Sequence, residues 1–285
     1  MLMLSAVMHL VLGLAGPEVR EALVHDGIDY FTIAVFSLVF GMGGAFISLL
    51  ASKPIAKWSP GAVTVDGTEN DDTRWLVSTV ERLARAANIK TPEVAIYRGA
   101  PNAFATGAFK NSALVAVSDQ IMADMNRREL EAVLGHEISH VVNGDMVTLT
   151  LVQGVLNAVV LFLSRIVAYA VENALGDKDR RRGSSGIYIM TVYLMQILLG
   201  LAASVLVCAY SRRREYAADA GSARLLGSPQ PMIEALIKLA AGHGELPKSL
   251  NAFGIGGKAS RASLFSTHPP IEARVEALRN FHAGI

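Results

Sequence analysis

The chain is poor in charge and in cysteine. Asp, Glu, Lys and Arg make up 18% of its 285 residues, where a soluble globular domain carries about a quarter. Hydrophobic residues reach 52%, with a mean hydropathy of +0.37. That balance points to a membrane protein before any motif is read. Neither sign dominates what charge there is. A net charge of +1 leaves no basic footprint for nucleic acid and no call for an acidic partner. The one cysteine, Cys208, lies in an apolar run. Alone it makes no internal disulfide, so nothing marks an oxidising compartment, and it reads as a small membrane hydrophobe. Internal repeats and low-complexity tracts are missing too, and Gly254–Gly257 reads as a loop. No Lys or Arg precedes the apolar run at the N-terminus. The positive region of a signal peptide is therefore lacking, and the run reads as a short, uncleaved first membrane segment.

Apolar sequence falls into four stretches, at about 2–16, 31–52, 146–165 and 187–210. The last three reach the roughly 20 residues that a helix needs to cross the hydrocarbon core. The first is marginal and contains His9. This divides the chain into N-terminal membrane helices (1–52), a polar block (53–145), a membrane hairpin (146–210) and a second polar block (211–285). If the hairpin crosses the membrane twice, both polar blocks form one domain on the same side. Lys53 and Lys57 follow the second stretch, and Arg212, Arg213 and Arg214 follow the fourth. The positive-inside rule then places that domain in the cytoplasm. The cluster Lys178, Arg180, Arg181 and Arg182 runs against the rule if the hairpin spans fully.

In the polar blocks, residues 71–88 read as a helix capped by Asp71 or Asp72. Residues 93–98 and 113–118 read as strands, with an edge strand within 102–109. Residues 127–145 read as a helix that runs on into the third apolar stretch. Further helices are expected at 211–226, 229–241 and 269–282.

The chemistry is concentrated in His136-Glu137-Ile138-Ser139-His140. Positions i and i+4 of a helix lie about 40° apart around its axis, so two imidazoles can face one metal ion. Glu137 lies about 100° from His136, close enough to hold a water there without being a ligand. A catalytic zinc takes three protein ligands and keeps a position open. With cysteine excluded, the third ligand is His, Asp or Glu. Glu215 and Asp219 share one helical face in Ser211-Arg-Arg-Arg-Glu215-Tyr-Ala-Ala-Asp219. Glu215 can ligate, and Asp219 can accept the N–H of a ligand histidine from behind. The alternative is a solvated helix start whose acids pair with Arg212 to Arg214.

HEISHVVNGD, SRRREYAADA and STHPPIEARVEAL together resemble the HtpX family of bacterial heat-shock membrane proteases, grouped with the CAAX-prenyl-protease-like metallopeptidases. The resemblance covers the whole chain. It implies a gluzincin site with His136, His140 and Glu215 as ligands of one Zn2+ per chain, Glu137 as general base and Asp219 behind the ligands. His268 matches a histidine of the family's active site and is expected to donate to the transition state; its alternative is a cap beside Pro269 and Pro270. Asn102, Ala103, Phe104, Ala105 and Thr106 match a family segment expected to bind substrate as an added strand. Asn143 and Asp145 are expected to fix the helix end rather than perform chemistry.

The expected fold is mainly α: a helical membrane protein with about four hydrophobic helices and a zincin-like α+β protease domain with a small β-sheet. The expected function is hydrolysis of misfolded or damaged membrane proteins in quality control. The place is the bacterial inner membrane, and the partners are polypeptide substrates and the lipid bilayer. The competing readings are a metal-binding scaffold or transporter without protease activity, and an intramembrane site-2-type protease. The first would need polar ligands inside the apolar stretches, and the second an HExxH within a spanning helix. Here Arg127, Arg128, Glu129 and Glu131 lie just upstream of the motif.

Overall fold

The computed structural model describes residues 4–7, 9–10, 24–25, 28–58, 61–175, 186–242 and 264–281. The basic cluster at 178–182, the Gly254–Gly257 loop and most of the first apolar stretch lie outside them; residues 4–7 and 9–10 of that stretch are helical. In chain order the elements are β1 (Val24–His25), β2 (Ile28–Asp29), α1 (Tyr30–Trp58), β3 (Val63–Val65), α2 (Asp71–Ala86), β4 (Glu93–Tyr97) and β5 (Ala103–Thr106). There follow β6 (Leu114–Ser118), α3 (Asp119–Asp124), α4 (Arg127–Asn143), α5 (Asp145–Leu175), α6 (Gly186–Leu226), α7 (Gln230–Gly242) and α8 (Ile271–Arg279).

Among the described residues, three helices are long and apolar enough to cross a membrane: α1, α5 and α6. Each contains an 18-residue window of mean hydropathy 2.1 or more, and less than a fifth of each window is buried by protein. Such exposed apolar surface suits lipid rather than water. The chain is a membrane protein. Contacts divide it into two compact units, Met1–Ser48 with Thr150–Val207, and Leu49–Leu149 with Cys208–Ile285.

In the first unit, helices approach through small residues, as membrane helices do where burial from water gives no drive. A Cβ at Gly41 would lie 2.4 Å from the Ala158 backbone nitrogen.

The second unit is built on a four-stranded sheet of order β3-β4-β6-β5. β4 and β6 run parallel, joined through the β5 excursion; β3 and β5 are antiparallel to their neighbours. Strand alternation sorts its side chains. Val94, Ala105, Val115 and Val117 pack with α2 and α4, while Ala95, Leu114, Ala116, Tyr97 and Phe104 pack on the opposite face with Ala56 of α1. β3 is too short, and too exposed at Val63 and Thr64, to show an apolar pattern in sequence.

α2 starts with a capping box on Asn70 and Thr73, one residue before the expected aspartates. α4 carries its own box, with Asn126 accepting from the Glu129 N–H and the Glu129 carboxylate accepting from the Asn126 N–H. It buries Leu130, Val133, Leu134, Ile138 and Val141 in the core. α4 does not run on into the third apolar stretch as expected. Gly144 sits at φ 69° and ψ 32°, the left-handed conformation that a glycine adopts without strain, and ends the helix. α5 then restarts at Asp145. Conversely, the fourth apolar stretch and the helix expected at 211–226 are one 41-residue helix, α6.

Candidate metal centre

α4 and α6 cross at unusually close range. A Cβ at Gly221 would lie 2.3 Å from the Ser139 Oγ, and one at Gly135 would lie 2.9 Å from the Ser222 Oγ. The Ser222 hydroxyl donates to the Ala132 carbonyl across the contact, at 2.7 Å. This crossing sets Glu215 of α6 against His136 and His140 of α4.

The three side chains converge. The two Nε2 atoms are 3.1 Å apart. Glu215 Oε2 lies 3.6 Å from His136 Nε2, and Oε1 lies 3.5 Å from His140 Nε2. One ligand atom from each falls within 4.8 Å of the others. Behind the rings stand two carboxylates. His136 Nδ1 is 2.9 Å from Asp219 Oδ1, and His140 Nδ1 is 2.6 Å from Asp145 Oδ2. A carboxylate there accepts, so each Nδ1 carries the proton and each Nε2 keeps its lone pair; the tautomers are assigned from these partners. Two Nε2 lone pairs and a buried carboxylate then face one another, with no proton between the two rings or between either ring and Glu215. A metal cation resolves that arrangement, and two imidazoles with a carboxylate are a donor set that fits it.

The carboxylates are themselves held. The buried Arg274 of α8 donates twice to Asp219, Nε to Oδ2 at 2.8 Å and Nη2 to Oδ1 at 2.6 Å, and its Nη1 lies 3.3 Å from Glu215 Oε2. Arg214 pairs with Asp145. Burial would raise the Glu215 carboxyl, but the histidines around it, His140 and His268 foremost, outweigh it and hold it far below the usual range. Asp219 behaves likewise: burial opposes ionisation, and Arg274 and His136 overcome it. Glu137 is different. It is only partly exposed, and desolvation pushes its carboxyl above the ordinary glutamate value despite the nearby imidazoles.

Glu137 Oε2 accepts the Ala105 N–H at 2.8 Å, tying the motif to β5. β5 pairs with β6 on one edge, and among the described residues no strand covers the other. His268 Nδ1 reaches Glu215 Oε2 at 2.8 Å from a side chain 64% exposed.

The structure thus brings together His136, Glu137, His140, Glu215, Asp219, His268 and the Asn102–Thr106 segment. It adds Arg274, Asp145 and Arg214, to which the sequence reading gave no part in the site. A cation set among Val275 and Leu278 in STHPPIEARVEAL was the available signal for Arg274, and the acid five residues after His140 the signal for Asp145.

Residues 70–282 match peptidase family M48. The chain belongs to that family. Curated relatives place it among the HtpX proteases. A protease HtpX homologue of Verminephrobacter eiseniae is 52% identical over 277 residues, covering 96% of this chain and 94% of that protein. One of Herminiimonas arsenicoxydans is 52% identical over 278 residues, with the same coverage. The crystal structure of Ste24p from S. mikatae shares the fold at a TM-score of 0.57 and 20% identity, over 88% of this chain. This chain spans 58% of that one. Family membership, the apolar helices and the His-His-Glu cluster make the protein a membrane metalloprotease.

Proposed function

We propose that the protein is a zinc-dependent endopeptidase of the bacterial inner membrane, with its catalytic residues facing the cytoplasm. Its catalytic domain comprises residues 53–145 and 211–285, and it hydrolyses misfolded or damaged membrane proteins. The observation that carries the reading is the convergence of His136, His140 and Glu215 beside Glu137 and a free strand edge. His136, His140 and Glu215 hold one zinc. A donor set of two imidazoles and one carboxylate favours zinc over harder ions. Bound there, the metal supplies Lewis acidity, polarising the scissile carbonyl and acidifying a water.

The protein's own groups do the rest. The free edge of β5, from Asn102 to Thr106, aligns the substrate backbone as an added strand, which suits substrates of varied sequence. Glu137 takes the proton of the attacking water on a carboxylate oxygen and delivers it to the leaving amine. The His268 ring, close to Glu215 and open to solvent, donates to the developing oxyanion. Asp219 and Asp145 keep the two ligand rings in the tautomer that presents Nε2.

The test is casein cleavage by detergent-purified protein, with zinc or with chelator, for wild type and Glu137→Gln. Cleavage by the zinc-loaded wild type alone is expected. Full activity of Glu137→Gln would remove Glu137 as the base, and activity after complete metal removal would remove the metal.

A further inference from the structure

The free edge of β5 borders a groove of about 640 Å3, lined by Ser52, Ile55, Ala56 and Trp58 of α1 and by Phe104, Ala105 and Thr106 of β5. Two of its walls are large apolar side chains that the protein leaves open: Ile55 is 61% and Trp58 83% exposed. The groove lies on one particular face of the sheet. Phe104 packs towards Ala56, whereas Ala105 packs into the core shared with α4. The Ala105 N–H faces the free edge, where it meets Glu137.

Strand geometry converts this into a statement about substrate. A polypeptide paired on the β5 edge has side chains that alternate between the two faces of the extended sheet. The residue opposite Phe104 shares its face and points at Ile55 and Trp58. Its neighbours on either side share the face of Ala105 and turn towards α4 and the metal ligands. The groove therefore meets side chains at every second position only, and its lining is mainly apolar.

We propose that this groove is a side-chain subsite of the protease. It takes a large apolar side chain without branching at Cβ (Leu, Met or Phe) from a substrate paired on β5, and Ile55 and Trp58 set that preference. The proposal rests on the endopeptidase reading above. It adds a specificity that backbone pairing does not supply. Cleavage is directed to segments with an apolar residue at one fixed distance from the scissile bond, the composition of membrane-spanning and core segments.

The experiment is digestion of a mixed peptide library by the zinc-loaded, full-length protein in detergent, with cleavage sites mapped by mass spectrometry. Wild type, Ile55→Ser, Trp58→Ser and Glu137→Gln are compared. Two purified peptides, differing only in Leu or Ala at the preferred position, supply kcat/KM. Wild-type sites should share a large apolar residue at one fixed position and be indifferent at the next. Each serine variant should lose about tenfold in kcat/KM on the Leu peptide, the scale of a methylene or two in an apolar pocket. Both should lose markedly less on the Ala peptide, so that the preference for Leu over Ala shrinks, and unchanged zinc stoichiometry reports an intact metal centre. Unchanged positional preference in both variants would overturn the subsite. So would an equal loss on both peptides, as expected if Trp58 only anchors the chain in lipid. Absence of metal-dependent cleavage by wild type would instead bring down the endopeptidase reading, and the subsite with it.

Discussion

Gly221→Ala should open the metal centre without touching any residue in it. The added Cβ would fall 2.3 Å from the Ser139 Oγ and 2.7 Å from its Cβ. Ser139 has no room to turn away, being 4% exposed and bonded through its hydroxyl to the Gly135 carbonyl. Restoring ordinary contact requires α4 and α6 to part by about 1 Å. Glu215 lies six residues up the same helix, about 9 Å along the axis, and metal–ligand distances tolerate only about 0.2 Å. Binding of the metal must then drive the helices back together against the clash. Overpacking of this kind costs about 1–3 kcal/mol, a fall in metal affinity of roughly 5- to 150-fold. The assay is zinc competition with a chromophoric chelator in detergent. Two further variants sharpen it. Gly200→Ala, on the same helix with nothing within 4 Å of the new Cβ, should bind zinc normally. Ser139→Gly should restore affinity when combined with Gly221→Ala, as coupling between contacting residues requires. Wild-type affinity in Gly221→Ala would refute the claim that this crossing holds Glu215 in place.

Asp145→Asn removes the negative charge that faces both His140 and Arg214; metal affinity should fall about 10- to 100-fold, measured by the same competition. Arg274→Leu leaves Asp219 and Glu215 without their buried cation, and the second unit should lose about 3–5 kcal/mol, read as a lower denaturation midpoint in metal-free protein. The Asp219 carboxyl, held low in the folded state, contributes stability that is complete above its unfolded value near 3.9 and is lost as pH falls through its folded value. Acid unfolding of metal-free Asp219→Asn should therefore show a shallower loss of stability below about pH 4 than wild type; an identical slope would argue against that ion pair.

The site was legible in sequence to the extent that its geometry is local. His136 and His140 announce themselves through helical spacing, and so do Glu215 and Asp219. The strands at 93–98 and 113–118 were visible as short apolar runs, and β5 emerged within 102–109. Distance in sequence hid the rest. Arg274 is an ordinary cation of an amphipathic helix until folding turns it onto Asp219, 55 residues upstream. The end of α4 was hidden for another reason: apolar residues continue on both sides of Gly144, and only its left-handed backbone shows where one helix stops. In α6 the opposite happened. The change from apolar to arginine-rich sequence looked like a boundary, yet no glycine or proline at residues 201–220 breaks the backbone. Composition changes there and the helix does not.

The three proposed ligands come from two helices far apart in the chain, and that separation has a consequence for timing. About 75 residues lie between His140 and Glu215. At a synthesis rate of roughly 5–20 residues per second, the motif on α4 waits about 4–15 s for the residue that completes the cluster. During that interval the nascent chain carries a histidine pair and a base but no closed site. Arg274, which holds Glu215 and Asp219 in position, arrives later still. A metalloprotease is thus kept inert while it is still an unfolded polypeptide itself.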